Sequence, residues 1–489
     1  MLRRPLTTLV ALLVLAGVAS AQATPTTRPD KPNVVVFVVD DMGWIDWAGG
    51  GSDFYDTPNL DKLAASSLMF TDGYAACPVC SPSRAALLTG RYPQRSGITD
   101  YIDGTDQNGP NQPQNWKRQT PLLPAPYVDS LPKDETTVAE ILKSAGYKTF
   151  FAGKWHLGPQ GNLPQDRGFD VNIGGFNAGG PYTGNKYFSP YNNPQMENGP
   201  DGEHLPDRLA TESAEFLAEH KDDGPSLVWL SFYSVHTPLM SREDLLAKYK
   251  AKRAEMGGGE GEMGEVHGHP TRVLQRHAVY AGMVEAMDQA VGKVLDEIDE
   301  LGIADNTIVL FTSDNGGLST SEGRPTSNEP LANGKGWMYE GGIRVPMLWR
   351  VPGVTAAGEK THAVASGIDV MPTILSLVGV ETEGPAVDGI DLTPALRGEE
   401  QTRGPVFWAY PHYGNQGGSP TAAVRDGDWK LIRFHETGDE ELYDLSADVG
   451  EANDVAAEHA DVASRLSGEL DAWLKEVDAK LPTPNPAAE

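Results

Sequence analysis

The chain has 489 residues, a formal net charge of −29 and two cysteines. Its length predicts one large domain and a smaller one. So strong an acidic balance excludes nucleic acid as a partner, and so few cysteines exclude a disulfide framework.

Residues 1–23 have the pattern of a signal peptide. Arg3 and Arg4 form a charged start, residues 6–18 are apolar, and small residues that suit a cleavage site follow. The apolar run is too short for a comfortable membrane span, which makes a membrane anchor the less favoured alternative. Residues 24–31 are expected to form a polar linker. The sequence therefore predicts an exported protein, periplasmic or secreted, with no membrane span in the mature chain.

Residues 32–397 contain four short apolar runs, and each run is directly followed by polar residues. The runs cover residues 34–39, 149–152, 227–233 and 307–312. Each is rich in β-branched or aromatic residues, which predicts strands buried on both faces. Helical patterns lie between them, at residues 137–145, 208–220 and 280–301. The alternation predicts an α/β domain with a large, mostly parallel central sheet flanked by helices.

The polar residues after these runs are expected to form one site, because ligands of such sheets bind beyond the carboxyl ends of the strands. Asp40 and Asp41 follow the first run, and Asp314 and Asn315 follow the last. These are hard oxygen ligands, which suit Ca²⁺ or Mg²⁺ better than zinc. One Asp pair at a strand end is more often a cap or a turn, but two pairs at matching positions favour a metal site.

Cys80 stands just before a predicted helix. Pro82 suits the first helical turn and residues 85–88 continue it, so the side chain at position 80 lies at the positive end of the helix dipole. Arg84 adds a planar charged group that suits a tetrahedral oxyanion. Cys77 and Cys80 could form a redox pair, but the flanking sequence offers no thioredoxin-like unit, so Cys77 is interpreted as a packing residue.

Two stretches resemble known signatures. Residues 80–91, Cys-Ser-Pro-Ser-Arg followed by Leu-Thr-Gly-Arg, resemble the signature of the type I sulfatases of the alkaline phosphatase superfamily. Residues 146–157, which contain Gly-Lys-Trp-His, are similar to the second signature of that family. The resemblance extends to Asp444. It implies that a formylglycine-generating maturation enzyme oxidises Cys80 to formylglycine, whose hydrated aldehyde is the nucleophile.

The resemblance also implies the roles of the other site residues. The implied metal ligands, with calcium more usual than magnesium, are Asp40, Asp41, modified Cys80, Asp314 and Asn315. The implied catalytic groups are Arg84, Lys154 and Lys335 for charge on the sulfuryl oxygens, His236 with Lys335 as the acid for the leaving alcohol, and His156 as the base.

Residues 241–275 are predicted to form a mobile surface insertion. Its His267 and His269 could bind a metal, although a solvated loop is the preferred interpretation.

Residues 398–481 predict a smaller C-terminal subdomain, an antiparallel sheet packed by a helix. Its predicted strands cover residues 406–408, 422–424, 429–432 and 441–444. Apolar residues then recur at three- and four-residue spacing between positions 455 and 477, which is typical of an amphipathic helix. The tail, residues 482–489, is predicted to be disordered.

The segment 410–418, between two of these strands, mixes aromatic rings, polar groups and glycines, the combination that a sugar site needs. His412 and Asn415 are predicted to contact the sugar, with an ordinary β-turn as the alternative. The chain is thus expected to be an exported, calcium-dependent sulfatase of sulfated carbohydrates. The alternatives are a phosphate or phosphonate monoester hydrolase of the same superfamily and a non-catalytic, calcium-dependent glycan-binding protein.

Overall fold

The computed structural model describes residues 31–104, 106–259, 261–381 and 386–488. The predicted signal peptide and the predicted linker up to residue 30 lie outside the described residues. Among the helices that are described, none combines the length and the apolar character needed to cross a membrane.

The described strands and helices alternate along much of the chain. The strands are β1 Asn33–Val39, β2 Leu68–Phe70, β3 Gly73–Tyr74, β4 Leu122–Leu123, β5 Lys148–Gly153, β6 Val171–Ile173, β7 Ser226–Ser231, β8 Met263–Val266, β9 His269–Arg272, β10 Thr307–Ser313, β11 Met347–Arg350, β12 Lys360–Thr361, β13 Ala365–Ser366, β14 Val406–Tyr410, β15 Thr421–Asp426, β16 Trp429–Phe434, β17 Glu440–Asp444 and β18 Thr483–Pro484. The α-helices are α1 Pro58–Ala65, α2 Cys80–Thr89, α3 Pro93–Ser96, α4 Val138–Ser144, α5 Leu205–His220, α6 Glu243–Glu255, α7 Ala278–Glu300, α8 Glu340–Ile343, α9 Val370–Val378, α10 Thr393–Leu396 and α11 Ala460–Glu476.

The central sheet has eight strands in the order β12-β2-β11-β10-β1-β7-β5-β6. The five strands from β10 to β6 are parallel to one another, whereas β11 runs antiparallel to both of its neighbours. In register, Val39 at the end of β1 pairs with Ser313 at the end of β10. The predicted mixed, mostly parallel sheet is therefore confirmed, and the parallel strands end together at one edge.

Helices cover both faces of this sheet, because successive side chains of β1 point to opposite sides. Val35, Phe37 and Val39 pack in a core with the apolar faces of α1, α5 and α7. Val34 and Val36 pack in a second core with α2, α4 and α9. The predicted flanking helices are thus confirmed, and both faces of β1 are buried, which explains its unbroken apolar sequence.

The C-terminal strands β14 to β17 form a four-stranded antiparallel sheet in chain order. Leu466 and Leu470 of α11 pack in one core with residues of β15 and β16, which confirms the predicted sheet with its helix. A buried ion cluster ties this sheet to the central unit, because the Lys430 ammonium of β16 lies 2.9 Å from Glu340 of α8 and 2.8 Å from Glu451.

Two predictions of irregular structure are wrong. The insertion 241–275 contains helix α6 and the hairpin β8–β9, and His267 stacks on Tyr339 with ring centroids 3.9 Å apart. The tail beyond residue 481 pairs through β18 with β4, and the Asn485 amide donates to the Pro121 carbonyl at 2.9 Å. Both segments are held by backbone hydrogen bonds, which their Gly-rich or Pro-rich composition obscures.

Candidate active site

The polar residues that follow the parallel strands meet at one edge of the sheet. Asp40 and Asp41 follow β1, Lys154 and His156 follow β5, His236 follows β7, and Asp314 and Asn315 follow β10. All seven side chains are buried. The Asp41 amide donates to the Asp314 carboxylate at 3.2 Å, which joins the ends of β1 and β10. The structure therefore brings together the groups that the sequence placed at separate strand ends.

Cys80 begins helix α2, whose ten residues are all buried. The preceding turn is fixed by Ser83, which accepts a hydrogen bond from the Cys77 amide at 3.1 Å and donates one to the Cys77 carbonyl at 2.8 Å. Both cysteines are buried free thiols. The Cys80 thiol therefore sits at the amino end of a fixed helix, where the backbone dipole favours negative charge.

Three cations pair with three carboxylates around this helix end. The Lys154 ammonium lies 2.9 Å and 2.7 Å from the two oxygens of Asp40. Arg84 lies 2.8 Å and 2.7 Å from one oxygen of Asp314, through Nε and Nη2. Lys335, from the loop before α8, lies 2.6 Å from Asp41. Because each buried charge has a partner, the cluster is electrically balanced.

Some oxygens of the cluster still lack a hydrogen-bond donor. The Asp41 Oδ2 and Asn315 Oδ1 atoms are buried without a partner. Ligand atoms of Asp40, Asp41 and His236 lie within 4.8 Å of one another. Buried acceptors without donors are costly, and a hard divalent cation would satisfy them. The residues present therefore fit a bound metal ion.

The two histidines of the site have defined proton positions. His156 Nε2 lies 2.7 Å from the Ile102 carbonyl, which can only accept, so this nitrogen donates and Nδ1 is left as the acceptor. That Nδ1 lies 3.4 Å from the Cys80 thiol. By the same reasoning, His236 Nδ1 donates to the Thr237 carbonyl at 2.7 Å. Its Nε2 then faces Asp41 Oδ2 at 3.8 Å.

Burial and these charges set the protonation of the site. Burial, assisted by Lys154, holds the pKa of His156 well below its usual range. Burial, with Lys335, lowers the pKa of His236 to about 3. Burial alone would lower the pKa of Lys335, but the Asp41 carboxylate outweighs it and raises that pKa. Burial also raises the pKa of the Cys80 thiol. Lys335 is therefore charged, and both rings are neutral.

A cavity of about 530 Å³ opens onto this cluster. Among the predicted residues, those that line it are Cys80, His156, His236, Lys335 and Asn415. Arg84 and Lys154 instead lie behind the carboxylates, around a small void below α2.

Sequence reasoning missed other residues that line this cavity, Asp103, Asn177, Tyr182, Glu322 and Gln416. The Tyr182 hydroxyl lies 3.4 Å from His236 Nδ1, and Glu322 accepts a hydrogen bond from the Gln416 amide at 2.7 Å. These residues come from loops without a regular pattern. The glycines at 174, 175, 179 and 180 that flank Asn177 are the one signal that could have found it.

The prediction that His412 contacts a sugar is wrong. Its side chain is 1 % exposed and does not line the cavity. His412 Nε2 lies 2.9 Å from the Thr99 hydroxyl, and the ring packs edge-on against Tyr127 and Tyr410. His412 is therefore a core residue that supports the loop, whereas the exposed Asn415 lies at the cavity rim.

Comparison with known proteins agrees with this geometry. The sequence model of the family described as "Sulfatase" matches residues 32–380, and one described as "N-sulphoglucosamine sulphohydrolase, C-terminal" matches residues 332–477. A sulfatase of Formosa agariphila is 31% identical over 95% of this chain and 92% of its own length. The N-acetylgalactosamine-6-sulfatase of Homo sapiens is 32% identical over 78% and 68%.

Among solved structures, Ps i-CgsB superimposes with a TM-score of 0.74 and 28% identity over 91% of this chain and 92% of that one. The same protein has been solved in complex with k-i-k-neocarrahexaose. The family match covers well over half of the chain. The chain therefore belongs to the sulfatase family, whose members are sulfuric ester hydrolases.

Proposed function

We propose that this chain is an exported sulfatase that removes sulfate from saccharides, with formylglycine at position 80 and a bound calcium ion. The observation that carries the proposal is the position of Cys80, at the amino end of α2 and on the wall of a cavity that Lys335 and His156 also line. The similarity to an N-acetylgalactosamine-6-sulfatase and to a protein solved with a neocarrahexaose supports a saccharide as the substrate.

Charge explains how so acidic a chain could accept an anionic substrate. The cluster has three carboxylates and three cations, and a bound calcium ion would make it positive. A sulfate ester in the cavity is then attracted by the local charge, while the acidic exterior is screened by salt beyond about 10 Å. Oxygen donors suit both calcium and magnesium, and calcium is proposed because it is the more usual ion in the sulfatase family.

Formylglycine and a calcium ion would each supply chemistry that the unmodified side chains lack. Formylglycine at position 80 would supply a hydrated aldehyde as the nucleophile, and calcium would supply positive charge beside it. Asp41 Oδ2 and Asn315 Oδ1, together with Asp40 and Asp314, would hold the metal ion.

The side chains of this chain bind, orient and move protons. Lys335 Nζ, charged and on the cavity wall, stabilises negative charge on the sulfuryl oxygens. His156 Nδ1, unprotonated and 3.4 Å from Cys80 Sγ, is placed to take a proton from a hydroxyl at position 80. His236 presents an unprotonated Nε2, so the geometry supports Lys335 rather than neutral His236 as the proton donor to the leaving alcohol.

Peptide mass spectrometry tests the nucleophile. We expect an aldehyde at position 80 and an unmodified thiol at position 77 in active protein. Cys80→Ala should abolish sulfate release, whereas Cys77→Ala, the matched control, should retain it. Active protein whose Cys80 is entirely thiol would refute the proposal.

Substrate class and export need separate measurements. Sulfate release from sulfated saccharides should exceed phosphate release from the paired phosphate esters, and the reverse order would favour a phosphoester hydrolase. Export predicts that periplasmic or secreted protein begins at Gln22 or Thr24, after the small-residue sites. Protein that retains residues 1–21 in the cytoplasm would contradict export.

A further inference from the structure

A second cavity, of about 470 Å³, lies near the catalytic one. Its lining includes Asn108, Asn111, Asn115, Trp116, Lys117 and Arg118. The Trp116 ring stacks on Tyr413, with centroids 5.5 Å apart and planes inclined by 26°. The Arg118 guanidinium lies over both rings, 5.0 Å and 5.6 Å from their centroids. We call Trp116, Arg118 and Tyr413 the aromatic ledge.

Hydrogen bonds fix the aromatic ledge in place. Arg118 Nη1 donates to the Tyr413 carbonyl at 3.2 Å, and the Trp116 indole donates to the Thr120 hydroxyl at 2.8 Å. The Tyr413 hydroxyl donates to Glu436 at 2.5 Å. A ligand would thus meet a Trp116 ring that is already ordered against the buried Tyr413, which lowers the entropy lost on binding.

The two cavities share a wall. Asp103 and Gly104 line the catalytic cavity, and Gly109 packs directly behind them. A Cβ atom added to Gly104 would lie 2.6 Å from the Gly109 amide nitrogen, and one added to Gly109 would lie 1.9 Å from Asp103 Oδ1. Only glycine permits this contact. The segment that carries the aromatic ledge therefore begins where the catalytic wall ends.

A single loop also connects the rim of the catalytic cavity with the support of the Trp116 ring. Asn415 lines the catalytic cavity, and Tyr413 belongs to the aromatic ledge. Two residues of extended chain span at most about 7 Å. Asn415 at the rim of the catalytic cavity therefore lies within about 7 Å of the residue that supports the Trp116 ring. Tyr413 itself is 6% exposed and lines neither cavity, so it acts as the support of Trp116 and not as a contact surface.

Charge changes sign between the two cavities. Asp103 and Glu322 bring carboxylates to the catalytic cavity, where a second anionic group on the bound sugar would be repelled. Lys117 and Arg118 are exposed, and neither forms an ion pair with a carboxylate of the described residues. Their charges are therefore free to attract an anion, and the flat face of Trp116 suits the apolar face of a sugar ring.

We propose that the aromatic ledge binds a sugar that carries a sulfate or carboxylate group and is linked to the sugar in the catalytic cavity. The inference rests on the proposed function, because it requires a saccharide in the catalytic cavity. It assigns the substrate to anionic oligosaccharides or polysaccharides in which a neighbouring sugar is also charged. The amides of Asn108, Asn111 and Asn115 would bind hydroxyl groups of that neighbour.

Calorimetry in the inactive Cys80→Ala background tests the ledge without turnover. The probes are a sulfated tetrasaccharide and a sulfated monosaccharide, each from ι-carrageenan and from chondroitin 6-sulfate, because adjacent sugars are both charged in these two polymers. In at least one of the two saccharide series, the tetrasaccharide should bind about tenfold more tightly than the monosaccharide. This gain is expected from one stacked ring and two cations. Trp116→Ala and the double variant Lys117→Gln/Arg118→Gln should each remove most of that gain.

The matched control is Lys221→Gln/Lys250→Gln, which removes two exposed charges that line neither cavity and should keep the gain. A tetrasaccharide that binds no better than its monosaccharide, or ledge variants that weaken both probes equally, would overturn the inference. Wild-type protein that hydrolyses the monosaccharide without a chain-length gain would keep the proposed function and lose the ledge. Binding that depends on the aromatic ledge, without sulfate release by wild-type protein, would keep the ledge and overturn the proposed function.

Discussion

Acidification from about pH 7 to about pH 5 should destabilise this protein partly through His412. Burial lowers the pKa of the His412 side chain to about 3, and its Nδ1 atom has no hydrogen-bond partner. In the unfolded chain, where a histidine has a pKa of about 6.5, the His412 ring binds a proton in this pH range. In the folded chain it does not. The contribution of His412 to the free energy of unfolding is therefore full above about pH 6.5 and falls as the pH falls.

The magnitude follows from the proton that the unfolded state gains. For an unfolded pKa of about 6.5, the loss between about pH 7 and about pH 5 is about 2 kcal/mol. His412→Gln can keep a hydrogen bond to Thr99 but cannot titrate, so urea unfolding at both pH values should show a pH dependence smaller by that amount. The other buried histidines are present in both proteins and cancel in this difference.

His362→Gln is the matched control, because the His362 side chain is 88% exposed. Any pH dependence that arises from exchanging histidine for glutamine at an exposed position, and not from burial, should appear in this variant. Equal pH dependence of wild type and His412→Gln would refute the reasoning, since it would mean that the buried ring is protonated in the folded state.

Three further predictions concern the ion clusters. Lys335→Ala removes the cation on the cavity wall and should lower kcat for an aryl sulfate by about 10²–10³-fold; unchanged steady-state kinetics would contradict its role. Asp41→Asn should reduce bound calcium after dialysis and abolish the rise in Tm on calcium addition. An unchanged metal content would show that calcium binds at another position. Among the described residues, Lys430→Met leaves the buried Glu451 without a cationic partner and Glu340 with Arg344 alone, and should cost about 3–5 kcal/mol in urea unfolding. Lys62→Met, whose ion pairs are exposed, should cost less than about 1 kcal/mol, and equal losses for the two variants would show that burial does not set the cost.

The parts of the site that lie at strand ends were predictable. Unbroken apolar runs such as that of β1 identify strands buried on both faces, and the parallel arrangement then places Asp40 and Asp314 at the same edge. The pairing of Lys154 with Asp40 was not predictable, because it depends on which of several acidic groups a flexible side chain reaches. Sequence order alone carries no such information.

Loop residues were harder to place. His412 and Asn415 are three positions apart in one loop, yet one is buried and the other exposed. No periodicity tells which side of an irregular segment faces the solvent. Glu322 lies in a turn with a φ of 52°, which has no sequence signature beyond the neighbouring glycine.

Helix α6 was missed for a different reason. Residues 243–255 are good helix formers, with Leu245 and Tyr249 one turn apart and both buried. The glycine run that follows, at residues 257–259, is typical of a loop. The helical pattern of these thirteen residues is thus adjacent to a loop pattern, and composition averaged over the whole insertion favours the loop.

The strand pair β4–β18 has a consequence for protein engineering. Because β18 pairs with Leu122–Leu123, and Asn485 bonds to Thr120 and Pro121, the C-terminal segment braces the stretch that follows the aromatic ledge. An affinity tag fused directly after residue 488 would therefore begin next to the surface assigned to the saccharide, and trimming back to residue 481 would remove the strand pair. Assays with polymeric substrates therefore call for protein in which residues 482–488 are present and carry no fused tag.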